Sequence, residues 1–241
     1  MQPRVSRLRT VKRTMGQDEK TDKDEKTLWN KKYAEGSHVS VAPDPFLLNA
    51  YAEFLAETTP GYALDVAGGV GRHSLWLTER GWKVKLVDVS EVGLTLARKN
   101  FQLAHNLTRG TQQPVSPARA RIARAGVEIP STTSARLETQ VMDLAQVHDL
   151  GQQQYDLILV FFYLQRSLFP ALISALRPGG FLIYKTYTTE SKRLGRGPSH
   201  PLYLLEPNEL LHAFQALRVL HYHETLKEKG VAELVAQKPS A

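Results

Sequence analysis

The stretch Ala63-Leu64-Asp65-Val66-Ala67-Gly68-Gly69-Val70-Gly71-Arg72-His73-Ser74 constrains the chain more than any other, because an apolar strand-length run enters a glycine-dense turn and then a helix start. Glycine lets a backbone turn sharply and approach a ligand closely, while free N–H groups at a helix start favour anionic groups. The pattern therefore predicts a strand–turn–helix unit holding a nucleotide-like ligand. Two further acids follow at matching places. Val87 and Asp88 close the next apolar run 17 residues after Gly71 and precede Val89, where a carboxylate reaches both hydroxyls of a ribose. Met142, Asp143 and Leu144 close a third run and offer one polar group between apolar walls, suited to an adenine ring. Each element alone has a plainer reading, as a tight turn or a helix cap. Their order along one chain is what points to a site.

Apolar runs of strand length alternate with helical stretches over most of the sequence: 63–67, 84–87, 137–142, 157–162 and 181–184, with helices expected at 72–80, 90–103 and 166–176. Asp44 and Pro45 read as an N-cap and first helical residue ahead of Phe46, Leu47, Ala50, Phe54 and Leu55, in a helix ending near Pro60. A last helix is expected near Pro207 and two terminal strands at 217–223 and 231–236. The series predicts an α/β fold: a doubly wound, Rossmann-like sheet of seven mostly parallel strands with helices on both faces. The unbroken Val160-Phe161-Phe162 end marks a central strand buried on both sides.

The 241 residues suffice for one such domain. No apolar run approaches the 18 residues of a membrane helix, and with no cysteine there are no disulfides, thiolate zinc sites or cysteine nucleophiles. The net charge of +7 would suggest a nucleic-acid partner if it covered a folded face. It is instead concentrated in two accessory segments. Residues 1–13 carry five basic groups and no acid, and residues 104–137 carry five arginines against Glu128 alone. Residues 1–26 read as a disordered, charged cytoplasmic tail, with structure beginning near Thr27. The Arg-rich start also fits an organellar transit sequence, and Met15 is an equally good initiator. Residues 104–136, with three prolines and seven Ser or Thr, read as an insertion whose likeliest helical turn is 118–125. The domain proper is 27–241.

In the loop, Asp88, Asp143, the 160–162 strand end and Arg177-Pro178-Gly179-Gly180, the chain resembles a class I S-adenosylmethionine (SAM) dependent methyltransferase over about residues 27–240, insertion excepted. The resemblance implies SAM as methyl donor. It also implies that Asp65, Ala67, Gly68, Gly69 and Gly71 meet the methionine part, Asp88 and Val89 the ribose, Asp143 and Leu144 the adenine, and Phe161 the same crevice. Ala67 departs from the family, which has glycine there. Trp29 and Tyr33, four apart on one helical face, are similar to the aromatic segment that closes over SAM in small-molecule enzymes of the tellurite-resistance and thiopurine type. In the thiopurine type an arginine just beyond the fourth strand borders the active site, and Arg166 sits comparably.

Tyr163 shares that turn, and the loop after the fifth strand contributes Tyr187, Arg193, Arg196, His200 and Tyr203 as pocket candidates. His73 reads as structural. Enzymes acting on exocyclic base amines resemble one another in an Asp/Asn-Pro-Pro-aromatic turn, and Phe161-Phe162-Tyr163-Leu164 is not one. The expected function is methyl transfer to a small S, Se, Te, O or N nucleophile in the cytoplasm, with no metal and no membrane, and with a nucleic-acid partner disfavoured but left open. RNA or protein methylation, and SAM binding without catalysis, are the alternatives.

Overall fold

The computed structural model describes residues 15–110 and 136–240, with side chains for 25–106 and 136–240. In chain order the elements are α1 (Met15–Ala34), α2 (Pro45–Ala50), β1 (Tyr62–Val66), α3 (Arg72–Thr78), β2 (Lys83–Asp88), α4 (Glu91–Gly110), β3 (Leu137–Val141), β4 (Tyr155–Phe161), α5 (Phe169–Ala175), β5 (Leu176–Tyr187), α6 (Thr189–Arg193), α7 (Glu209–Ala213), β6 (Arg218–Glu224) and β7 (Val231–Gln237). A π-helical turn, Tyr51–Leu55, follows α2, and 3₁₀ turns occupy Arg166–Leu168 and Pro201–Tyr203.

The seven strands form one mixed sheet in the order β3-β2-β1-β4-β5-β7-β6. The first five are parallel, whereas β7 runs antiparallel to both β5 and β6. Strand order steps outward from β1 to β3 and then restarts on the other side at β4. The reversal leaves a crevice at the carboxyl ends of β1 and β4, where open α/β sheets bind ligands. Side chains alternate across the sheet. Leu64, Val66, Ile158, Val160, Leu182 and Tyr184 join a cluster with Phe169, Leu172, Leu210 and Phe214. Their neighbours Ala63, Leu157, Leu159, Phe161 and Ile183 join Phe46, Leu47, Leu55, Leu77 and Trp82.

Local chemistry explains the boundaries. Asp44 caps α2 by accepting from Phe46 N at 2.9 Å, with Pro45 at the first helical position, as the sequence predicts. The expected helix to Pro60 loosens instead into the π-turn, where Tyr51 accepts from Trp82 Nε1 at 3.1 Å and meets Trp76 edge-on. Helix α1 begins at Met15, twelve residues before the Thr27 at which structure is expected to start, and takes in the polar run from 16 to 26. Helix α4 extends to Gly110 and so takes in the start of the proposed insertion. Residues 1–14 and 111–135, including the expected turn at 118–125, lie outside the described residues. Among the described residues no helix is long and apolar enough to cross a membrane.

Trp82 is fully enclosed at the root of β2. Trp82→Ala is expected to destabilise the protein by about 3–5 kcal/mol. A urea titration should show a lower midpoint with little change in slope, while Val141→Ala, on the exposed edge strand, moves the midpoint by less than about 0.5 kcal/mol equivalent.

Candidate functional site

The glycine turn hangs between two buried carboxylates. Asp65, near the end of β1, is 1 % exposed, and its Oδ2 accepts from Ser74 N at 3.1 Å and Ser74 Oγ at 2.6 Å. These bonds pin the first turn of α3 to β1, so residues 67–71 must loop out tightly between them. The backbone obliges: Ala67, Gly69 and Gly71 all have positive φ, at 53°, 57° and 76°. Ala67 pays a steric penalty there that glycine would not, on the order of 1–2 kcal/mol. A side chain at Gly68 would strike Leu86 and the Asp65 carboxylate, and one at Gly69 would strike the Tyr33 hydroxyl. Asp88, at the tip of β2, holds the same turn from the other side. Its Oδ2 accepts from Gly69 N at 2.9 Å and its Oδ1 from Ser90 N at 2.8 Å.

Burial dominates the electrostatics. Desolvation raises the Asp65 carboxyl to about 6, against the lowering effect of the Ser74 bonds and the Arg72 charge. Asp88 is also raised by burial, moderated by its two backbone donors. Asp65 Oδ1 is enclosed and has no hydrogen-bond partner among the described residues. A buried, half-satisfied carboxylate destabilises a fold and so signals a role beyond the fold.

Helix α1 roofs this edge. Asn30 Oδ1 accepts from Ser90 Oγ at 2.6 Å, and the Tyr33 ring lies over Gly69 and Gly93. Trp29 packs on Tyr33 at 5.6 Å and on His38 at 5.5 Å, centroid to centroid. One turn further back, Glu25 accepts from the Tyr203 hydroxyl at 2.6 Å, linking α1 to the loop after β5. The Tyr163 hydroxyl, in the turn after β4, is raised chiefly by burial and further by the charges of Glu25, Asp143 and Asp88.

Trp29, Tyr33, Asp65, Ala67, Gly68, Gly69, Gly71, Asp88 and Tyr163 thus meet at one edge, with half-buried Val89 following Asp88. Asp143 lies near and accepts from Ala145 N at 3.0 Å, the turn-capping arrangement. Other expected residues lie elsewhere. Leu144 packs into the core with Val66 and Val87. Phe161 faces the α2 side, 4.2 Å from His73 and 6.3 Å from Phe46, so it does not line the crevice. Four of the five Arg166 donors are engaged: Nε and Nη2 grip Glu209 at 2.6 and 2.9 Å, Nη1 donates to Leu202 O and Nη2 to Leu204 O. The side chain ties the loop to the β4 turn, and its charge is paired with Glu209. His73 is buried and held neutral by desolvation, and its Nε2 accepts from Asp44 N at 3.3 Å, a structural role. His200 Nδ1 accepts from Leu202 N, Arg193 pairs with Glu190 in α6, and Arg196 is exposed.

Sequence reasoning passed over Phe162. It follows β4 at φ 58°, an uncommon conformation for an aromatic residue, fixed by its N–H donating to Lys185 O at 2.7 Å. Its ring meets Tyr187 at 5.1 Å. The ring packs, partly buried, against the same apolar cluster as Phe161, so the left-handed turn rather than the strand pleat sets its direction.

No protein-family model and no curated sequence matches the chain. Solved structures do match in fold. TehB from Haemophilus influenzae is similar at 17% identity over 87% of this chain and 67% of that one, with a TM-score of 0.55. Magnesium protoporphyrin IX methyltransferase from Synechocystis PCC 6803, solved with bound S-adenosylhomocysteine, is similar at 17% identity over 80% and 81%, TM-score 0.54. The [4+2]-cyclase SpnF is similar at 13% identity over 91% and 97%, TM-score 0.62. At such identities the likeness establishes the fold.

The Asp65 titration gives a signed prediction. A folded-state value near 6, above the ordinary 3.8, means stability is greatest below pH ~4 and declines as pH rises through ~6. Asp65→Asn keeps an acceptor for Ser74 and removes the buried charge. It is expected to raise the melting temperature at pH 7.5, by up to about 3 kcal/mol equivalent, with the gain vanishing near pH 4. Melting curves of both proteins between pH 4 and 8 check this.

Proposed function

We propose that this chain is a methyltransferase that binds SAM at the carboxyl edge of β1, β2 and β3 and passes its methyl group to a small nucleophile. One observation carries the reading: a glycine turn with no room for side chains converges with a buried Asp65 lacking one partner and with Asp88 at the next strand tip. A ligand bearing an ammonium group would supply the missing partner of Asp65. Ribose hydroxyls are suited to Asp88, whose Oδ2 now accepts from Gly69 N, and an exocyclic amine is suited to Asp143, just beyond β3. The doubly wound arrangement of such enzymes agrees with the reversal of strand order at β1 and β4. The methyltransferases among the structural neighbours add support, TehB included.

SAM, when bound, supplies an electrophilic methyl on a sulfonium whose departure needs no acid. The work left to the residues is alignment and exclusion of water. Gly68 and Gly69 let the backbone approach, Asp65 and Asp88 fix the ends of the ligand, and Tyr33 and Trp29 roof it. An aromatic face beside a cation contributes about 1 kcal/mol. The acceptor side falls to Tyr163, Tyr187 and Phe162, since the charge of Arg166 is already paired with Glu209. No general base is assigned. The acceptor is a small S, Se, Te, O or N nucleophile, and a cytoplasmic location fits. A second reading, ligand binding without methyl transfer, draws on SpnF, a cyclase of the same fold.

Calorimetry should detect binding of SAM and of S-adenosylhomocysteine, weakened tenfold or more in Asp88→Ala while circular dichroism stays unchanged. Absence of heat with either compound overturns the proposal. Binding without release of S-adenosylhomocysteine across thiols, carboxylates and metalloid oxyanions favours the second reading.

A further inference from the structure

Three cations surround the ring of Phe162: Arg72 at 5.9 Å from guanidinium carbon to centroid, Lys185 at 5.8 Å and Lys229 at 5.9 Å. They arrive from α3, β5 and the turn between β6 and β7, so the fold gathers them from distant parts of the chain. Their charges are not equally met. Lys185 lies between Asp44 and Glu233, each at 2.9 Å, and is neutralised there. Arg72 and Lys229 have no ion pair or side-chain hydrogen bond to any described residue, although each stands within 6 Å of the same ring. Neither cation has an ion-pair partner among the described residues, and an anion beside this ring would meet both charges.

The surroundings say more about the anion. Phe162 and Tyr187 form a tilted aromatic wall, and Phe162 is held in its left-handed conformation to present it. Strain of this kind persists where the surroundings enforce it and concentrates at ligand sites. Burial raises the Tyr187 hydroxyl, and the charges of Lys185 and Arg72 oppose that rise. An inorganic oxyanion needs only the cations, whereas an apolar body of a ligand would use the wall.

We infer that the methyl acceptor is a small organic anion, its carboxylate between Arg72 and Lys229 and its apolar part against Phe162 and Tyr187. This rests on the methyltransferase reading above and narrows it to a substrate class.

Benzoate, its neutral counterpart benzamide, and sulfate at matched ionic strength are titrated into protein saturated with S-adenosylhomocysteine. Benzoate is expected to bind at least tenfold more tightly than benzamide or sulfate. Lys229→Gln should weaken benzoate fivefold or more while leaving the affinity for S-adenosylhomocysteine unchanged, and Phe162→Leu should weaken benzoate and benzamide alike. Equal binding of benzoate and benzamide, or a benzoate affinity indifferent to Lys229→Gln, overturns the inference. Sulfate binding as well as benzoate overturns its organic part. If Arg72→Gln weakens S-adenosylhomocysteine but not benzoate, Arg72 serves the donor's carboxylate and its assignment here is overturned. Failure of S-adenosylhomocysteine to bind at all condemns the methyltransferase reading instead, and the benzoate titration of the free protein then decides the anion site alone.

Discussion

The short bonds from Ser74 to Asp65 are what the rest of the site depends on. They bring the start of α3 back onto the end of β1, and the five residues between have no option but a turn with repeated positive φ. Once the turn is that tight, Gly69 N–H faces Asp88 and the tips of β1 and β2 share one hydrogen-bonded unit. The arrangement is unfavourable by itself, because a carboxylate at 1 % exposure is desolvated and only half satisfied. Its persistence is offset by the parallel core beneath, where β1 and β4 are buried along nearly their whole length.

Most of that core was legible from residue order. Parallel interior strands need unbroken apolar runs, and such runs are easy to find; the two terminal strands fall within about a residue of their expected limits. The crevice was legible for a related reason: glycines and acids at strand ends occupy places that apolar packing cannot explain. What sequence could not give was the partner of each polar side chain. Arg166 looked available because Glu209, its counterion, lies 43 residues away in a helix of its own. Phe161 was favoured over Phe162 because both end an apolar run, and only the left-handed backbone at Phe162 sets its ring apart. Arg72 stood in plain view after Gly71, but its importance comes from Lys229, which is distant in sequence and joined to it only through the sheet.

Helix α1 shows a different limit. Its first half has almost no apolar signal, so periodicity gives no reason to place it on the fold. Its anchors are single contacts, Glu25 to Tyr203, Asn30 to Ser90 and Tyr33 over the glycine turn, each made by one residue per turn or so. A helix attached through a few polar points rather than a continuous apolar stripe adds little to global stability and is among the first elements to open. That suits a segment lying across the mouth of a ligand site.

The Arg166 tether has a mechanical consequence. One guanidinium fastens the Leu202 and Leu204 carbonyls and the Glu209 carboxylate to the turn after β4. Displacing that loop in small increments would stretch every one of these bonds together, each too short-ranged to yield gradually. The loop carrying His200 and Tyr203 is therefore fixed to the turn after β4 at several points through one side chain, so a single residue sets its placement.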